Sequence, residues 1–241
     1  MRLLLASKSP ARLTTLLSAG ITPIVRVAGV DEPRVLRELE EARGALPSPA
    51  AQVSALATAK RDAITAELAR PDSLIDEDGA DELLIIGCDS MLEIGGRMLG
   101  KPRTPEVARA RIRQMRSTRA TLWTGHALTR MAISASGDSY TRIGAVERSA
   151  STRVLFSDMS DEEIDAYVES GEPLRVAGSF TIDGLGGPFI AGVEGDHHSV
   201  VGISLPLLRE MARDLGVFWP DLWDWRRGAD PASALSPSNV K

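Results

Sequence analysis

Short apolar runs alternate with amphipathic runs along this chain. That alternation constrains the fold more than any other feature, because it points to an α/β domain. Leu3-Leu4-Leu5-Ala6 reads as a buried strand, and Leu83-Leu84-Ile85-Ile86-Gly87 is the clearest buried strand in the sequence. Helix signals fall between the strands. Ser9-Pro10 supplies an N-cap and a first-turn proline, Leu13, Leu16 and Leu17 form an apolar stripe, and Gly20 stands where a glycine ends a helix. A second strand is predicted over residues 24–27, before Val30-Asp31-Glu32-Pro33. Residues 36–49 read as a short helix plus a loop, and residues 50–68 as a long helix.

The strand of residues 83–87 ends in Cys88-Asp89-Ser90, and residues 91–98 then read as a hairpin turning on Gly95-Gly96. Thr104-Pro105-Glu106 opens another helix, and strands are predicted over residues 120–133 and 142–156. Ser160-Asp161-Glu162-Glu163 is a capping box whose helix stops at Gly171. Residues 179–193 read as a bent glycine-rich hairpin and residues 206–215 as a last helix. The stretch 71–82 carries six acidic residues and no basic one, which makes it an exposed loop. Trp219, Leu222, Trp223 and Trp225 can pack on the body or on a second subunit, and from Gly228 onward the Ala/Ser/Pro composition predicts disorder.

Composition narrows the function classes. The 241 residues suffice for one large domain or two small ones without covalent staples. Cys88 is the single cysteine, so no internal disulfide can form, and a reducing cytoplasm is the expected location. No apolar run approaches the roughly 20 residues of a membrane helix. The opening apolar run turns polar at Ser7-Lys8-Ser9, too early for a signal peptide. A net charge of −5 argues against coating nucleic acid but leaves room for a local basic pocket.

Four segments carry candidate chemistry. Ser7-Lys8-Ser9-Pro10-Ala11-Arg12 joins a strand to a helix, and a helix N-terminus there offers free N–H groups and partial positive charge to a phosphate. Ser7 and Ser9 add hydroxyls and Arg12 a guanidinium fork; the pattern equally allows Ser9 as a plain cap and Arg12 as a surface residue. Asp89 follows the apolar strand, where a carboxylate can hold a metal, orient water or merely cap a turn. Gly100-Lys101-Pro102 holds a cation on a rigid loop, and Asp31-Glu32 places two acids at the end of a strand. Both are also compatible with solvated positions. Lys60 is the odd residue: it lies within about 20° of Val53 and about 40° of Leu56 and Ile64 on the helix wheel, in the apolar stripe. A snorkelling side chain would explain that as well as a buried role. No G-x-x-x-x-G-K-[ST] loop, early G-x-G-x-x-G, H-E-x-x-H or G-x-S-x-G motif is present, and a dinucleotide-dependent enzyme is disfavoured. His197-His198 are adjacent and would face opposite ways in a strand, without a zinc pattern around them.

In order along the chain, these segments resemble the Maf family of nucleotide pyrophosphatases. The matching stretches are Leu5-Ala6-Ser7-Lys8-Ser9-Pro10-Ala11-Arg12, Val30-Asp31-Glu32, Ala57-Thr58-Ala59-Lys60, Ile86-Gly87-Cys88-Asp89-Ser90 and Leu99-Gly100-Lys101-Pro102, continued by Trp123-Thr124-Gly125, Ala177-Gly178-Ser179-Phe180 and Val200-Val201-Gly202. The resemblance places a family domain at residues 1–217 and a tryptophan-rich tail at 218–241. It implies a mixed twisted sheet with flanking helices and two lobes around a cleft, like inosine triphosphatases. It further implies hydrolysis of a nucleoside triphosphate to monophosphate and pyrophosphate with a divalent metal, Mg²⁺, clearing modified or unwanted nucleotides. A catalytically weak regulator of septum formation is the alternative, and a homodimer stays open. Carried over by position, Asp89 matches the family's proton acceptor, and Ser7, Arg12, Glu32, Lys60 and Lys101 match its other polar site residues. We expect Ser7, Ser9, Arg12, Lys60 and Lys101 to cradle phosphates and Glu32 and Asp89 to share the metal. Asp183 stands where many relatives carry Gln, and Ser199 and Ser204 where Asn and Pro are usual. The Gln branch is associated with dTTP and UTP, an acidic branch with 7-methyl-GTP, so Asp183 leans toward the latter.

Overall fold

The structure is a computed structural model and describes residues 1–77 and 79–229. Each helix start follows from local chemistry. Helices α1 (Pro10–Ser18), α2 (Glu32–Arg43), α3 (Pro49–Leu68), α4 (Pro105–Met115), α5 (Asp161–Glu169), α6 (His197–Val201) and α7 (Leu205–Asp214) are capped by Ser9, Asp31, Ser48, Thr104, Ser160, Asp196 and Ser204. Proline follows in the first turn of α1, α2, α3, α4 and α7, where its missing N–H is no loss. The capping box at Ser160 and Glu163 is formed in both directions.

The strands are β1 (Arg2–Leu5), β2 (Ile24–Val25), β3 (Glu82–Ile94), β4 (Arg97–Leu99), β5 (Arg119–Ile133), β6 (Tyr140–Phe156) and β7 (Ile190–Glu194). They form one mixed sheet in the order β2-β1-β3-β5-β6-β7, with β4 hydrogen-bonded to β3. β1 runs parallel to β2 and β3; the other pairs are antiparallel. Period-two alternation sorts the side chains. Leu3, Leu5, Leu84, Ile86 and Cys88 enter one core with α7, while Leu4, Ala6, Leu83 and Ile85 enter another with Ile64 and Leu68 of α3. From Leu92 the same long strands pass into a third core, built with Ile112 of α4, Ile164 of α5 and Phe180. The two ends of β3 and β5 thus belong to different packing units, and these are the two lobes.

α3 lies against β3 and β5 with almost no clearance. A Cβ on Gly87 would sit 2.2 Å from the Ala57 carbonyl oxygen, and one on Gly125 would sit 2.1 Å from that of Val53. Only glycine leaves the helix backbone this close to the sheet.

Four expectations are corrected. β3 continues for 13 residues through Asp89 to Ile94, because β5 pairs with it from Glu82 to Glu93; Asp89 therefore sits within a strand rather than after one. Asp31 and Glu32 do not close a strand. β2 stops at Val25, Asp31 Oδ1 caps the Arg34 amide at 3.0 Å, and Glu32 opens α2, which ends at Arg43. The glycine-rich stretch is a series of tight 3-10 turns leading into β7 rather than a hairpin. His197 and His198 open α6, so their rings lie side by side with centroids 3.8 Å apart instead of facing opposite ways. Their ligand atoms and a carboxylate oxygen of Asp196 lie within 4.8 Å of one another, and Asp196 caps the His198 amide at 3.0 Å.

The first part of the tail packs on the body. Leu222 is buried, Trp219 and Trp223 cover the core around Leu16 and Ile21, and Asp224 accepts from both the amide and the hydroxyl of Thr22 at 2.8 Å. Disorder from Gly228 onward was expected; from residue 230 that stretch lies outside the described residues. Among the described residues no helix is long and apolar enough to cross a membrane.

His126 of β5 couples the fold to pH. It is fully buried, and its Nε2 accepts the Ser204 amide at 2.8 Å, so the ring proton resides on Nδ1. Burial, with the nearby Arg12 charge, pushes its pKa down to about 4. A histidine held neutral in the fold takes up its proton preferentially when unfolded. Stability is therefore complete above the ordinary value near 6.5 and falls as pH drops from there toward 4, by about 3 kcal/mol in total. Urea midpoints at pH 7 and pH 4.5 should show this loss in the wild type and a smaller pH slope in His126→Gln. Equal slopes would remove His126 from the account.

Candidate active site

The candidate site lies in a gap along one edge of β3. β5 occupies the other edge throughout. On the near edge β1 stops at Leu5, opposite Ile86, and β4 pairing starts only at Leu92, opposite Leu99, the last residue of β4. Between these points residues 87–91 have no strand neighbour on that side among the described residues. The chain leaving β1 turns there into α1, and the chain leaving β4 runs through Lys101. A cleft of about 940 Å³ opens at this gap, near the upper end of the ~300–1,000 Å³ range of ligand pockets. Ser7, Ser9, Arg12, Glu32, Lys60, Ser90, Lys101 and Asp183 all line it, so residues spread over most of the chain share one hollow.

Arg12 is 8% exposed and gripped by three neutral acceptors: the Gly202 carbonyl (2.8 Å, from Nε), Ser7 Oγ (3.1 Å) and Ser90 Oγ (3.1 Å). Ser90 Oγ lies 2.9 Å from Thr124 Oγ1, which donates to the Ser199 carbonyl at 2.9 Å. Thr124 has spent its proton, so Ser90 donates to Thr124 and its own oxygen accepts from Arg12. Among the described residues no carboxylate forms an ion pair with Arg12. A buried cation without a counter-charge is costly, and an anion entering the cleft would supply one. Arg12 is therefore not a surface residue. Ser9 Oγ accepts its amide at 3.5 Å as the cap of α1, and Ser7 Oγ accepts the Ser9 amide at 3.2 Å.

Asp89 and Ser90 are successive residues of a strand and point to opposite faces. Ser90 meets Arg12; Asp89 meets α3. There Lys60 Nζ bridges two carboxylates, 2.5 Å from Asp89 Oδ1 and 2.7 Å from Glu32 Oε1. Lys60 is thus an inward lysine held by acids, not a snorkelling one. Asp89 is 8% exposed and sits behind Lys60 rather than on the cleft wall. Burial pushes its carboxyl above the ordinary range in spite of the Lys60 and Arg12 charges. Glu32 is half-exposed. Burial there is outweighed by the Lys60 hydrogen bond and by the charges of Lys60, Lys101 and Arg12, which hold its carboxyl below the usual value. Burial, together with the Arg12 charge, lowers the Lys101 ammonium, which Glu32 partly opposes. The Lys101 loop is pinned by the Gly100 carbonyl, which accepts from Arg111 at 2.7 Å and from the Gly178 amide at 3.4 Å.

Asp183 is exposed and reaches the cleft from the turns after Phe180. Sequence reasoning gave no role to Ser90, Thr124 or Gly202, although each stands in a matched motif; their roles come from contacts 75 to 190 residues apart in sequence. Glu172 also lines the cleft and carried no sequence signal beyond following Gly171.

The fold and the cleft define an α/β protein whose two lobes enclose a hollow lined by cations, with a carboxylate pair on one of them. Comparison with known proteins narrows this. The chain belongs to the Maf-like protein family, whose model matches residues 2–215. It is 45% identical over 226 residues to a protein of Cutibacterium acnes, covering 93% of this chain and 95% of that one, and 47% identical over 225 residues to one of Nocardia farcinica, covering 92% and 96%. A Streptomyces coelicolor protein is 46% identical over 222 residues, covering 92% and 94%. All three relatives are named nucleoside triphosphate pyrophosphatase.

Proposed function

We propose that this protein hydrolyses nucleoside triphosphates to a nucleoside monophosphate and pyrophosphate. The observation that carries this reading is Arg12, a buried guanidinium at a helix N-terminus whose partners among the described residues are all neutral, facing a cleft that also receives Lys60 and Lys101. Its relatives' name agrees with it. Cleavage of the α–β anhydride needs neutralised phosphates, an aligned water and a stabilised leaving group. Arg12, Lys60, Lys101, the Ser7 hydroxyl and the Ala11 amide in the first turn of α1, which Ser9 caps through the Arg12 amide, bind the triphosphate. Asp89 orients the water and takes its proton, and a carboxyl raised by burial is a stronger base than an exposed one. Lys60 is shared. A phosphate oxygen competes with Asp89 and Glu32 for its ammonium and so frees the base.

The oxygen donors of Glu32 and Asp89 suit Mg²⁺, since both carboxylates already converge on one cationic centre, Lys60 Nζ. When bound there, such an ion supplies charge neutralisation on the phosphates. Asp183 bears on the base. A carboxylate only accepts hydrogen bonds, and the guanine edge presents adjacent N–H donors where uracil and thymine present one between two carbonyls. We therefore read a 7-methyl-GTP-like nucleotide as preferred over dTTP or UTP.

Incubation with a nucleotide panel and Mg²⁺, with pyrophosphate and orthophosphate assayed separately, tests this. Pyrophosphate release, fastest from 7-methyl-GTP, is the expected result. Orthophosphate as first product would make the protein a phosphatase, and tight binding without release would make it a nucleotide-sensing regulator.

A further inference from the structure

The turns that carry Asp183 are held by a single carboxylate. Glu172 follows α5 and accepts four hydrogen bonds: from Tyr167 Oη (3.1 Å), Thr181 Oγ1 (2.5 Å) and the amides of Leu185 (3.1 Å) and Gly186 (3.2 Å). Tyr167 Oη in turn accepts the Thr181 amide at 3.1 Å. The amides of residues 181, 185 and 186 therefore all end on Glu172 or Tyr167, and Asp183 lies inside the loop so clamped. The wrapping is tight: a Cβ on Gly184 would sit 2.5 Å from Glu172 Oε2.

We propose that Glu172 is a positioning residue for nucleotide selectivity, acting by fixing the loop of residues 181–186 and hence the place of Asp183 in the cleft. The inference rests on the functional reading above and adds a residue that acts without touching the base. The chemistry requires a carboxylate. Both oxygens of Glu172 accept, whereas a glutamine presents an N–H₂ where Leu185 N, or Thr181 Oγ1 and Gly186 N, must donate, so two donors would meet. The carboxyl is held ionised. Burial acts to raise it, but the bonds from Thr181, Leu185, Gly186 and Tyr167 outweigh burial.

The test measures kcat and KM of wild type, Glu172→Gln, Tyr167→Phe, Asp183→Asn and the Glu172→Gln/Asp183→Asn double variant on 7-methyl-GTP and UTP. Binding of their non-hydrolysable α,β-methylene analogues is measured in parallel by calorimetry. The expected result is a KM for the preferred nucleotide raised on the order of 10–100-fold in Glu172→Gln, with kcat little changed. The ratio between the two nucleotides should collapse, and the double variant should discriminate no worse than the worse single one. Tyr167→Phe, which keeps the carboxylate, should show a smaller loss in the same direction and stands in if Glu172→Gln does not fold. An unchanged ratio, equal losses on both nucleotides, additive losses in the double variant, or a wild type that does not discriminate would each overturn the proposal. A wild type that binds selectively but releases no pyrophosphate would instead defeat the functional reading, and the calorimetric ratios would still decide the role of Glu172.

Discussion

Replacing Asp89 with asparagine is expected to lower kcat for the preferred nucleoside triphosphate by about 10²–10⁴-fold, the usual contribution of a general base. KM should stay within a few-fold, because Arg12, Lys101 and the first turn of α1 do not touch Asp89, and Lys60, which does, keeps Glu32 and the phosphate as partners. The fold should survive. Asparagine matches the shape of aspartate, and Lys60 keeps its second carboxylate at Glu32, 2.7 Å away. The part-buried lysine is thus not left without a counter-charge. Pyrophosphate release near the wild-type rate would take the base role away from Asp89. A fall in nucleotide affinity equal to the fall in turnover would reassign it to binding.

The second large effect concerns the sheet behind the site. Gly125 stands opposite Asp89 in the β3–β5 register, and α3 crosses it with the Val53 carbonyl in the space a Cβ would fill. Gly125→Ala should cost about 3 kcal/mol, at the upper end of ordinary overpacking penalties, because the clashing atom is backbone and cannot swing away. For a chain of this size that corresponds to a melting temperature lower by roughly 6–12 °C. Lys60 rides on the same helix, so nucleotide affinity should weaken alongside stability. Gly192→Ala is the control: it lies in edge strand β7 with nothing within 4 Å of its Cβ, and should stay within about 0.5 kcal/mol of wild type. A Gly125→Ala protein that melts with the wild type would mean that α3 can lift off the sheet at little cost.

Much of this molecule was legible from short-range patterns. Ser9-Pro10, Thr104-Pro105 and Ser160 with Glu163 mark helix starts through bonds three residues long, and the structure has helices at all three. The uninterrupted apolar runs at Leu3 and Leu83 marked the central strands, since burial on both faces admits little but apolar side chains. The odd position of Lys60 on an apolar stripe was visible too, though not what held it there.

What failed were the ends of elements. Pattern reading ended β3 at the last apolar residue, Ile86-Gly87, because polar residues follow. The strand runs on through Asp89 because β5, some 35 residues later, offers it an unbroken row of hydrogen-bonding partners. Glu32 was misplaced because Asp31 and Pro33 are helix-start signals as much as turn signals, and here Asp31 caps the Arg34 amide and so opens a helix.

The sequence alone therefore determined the fold class, most helix starts, the buried strands and the cation-bearing junction at Ser7 to Arg12, because each depends on neighbours within one helical turn or on strand periodicity. The tertiary structure alone decided three things. β1 and β4 leave a gap on the same edge of β3, Arg12 has neutral partners while Lys60 has two acids, and Glu172 closes around the Asp183 loop. Each of these turns on which distant segments share an edge or a face, and such pairings are chosen by packing and hydrogen bonding across the whole chain, not by any local propensity.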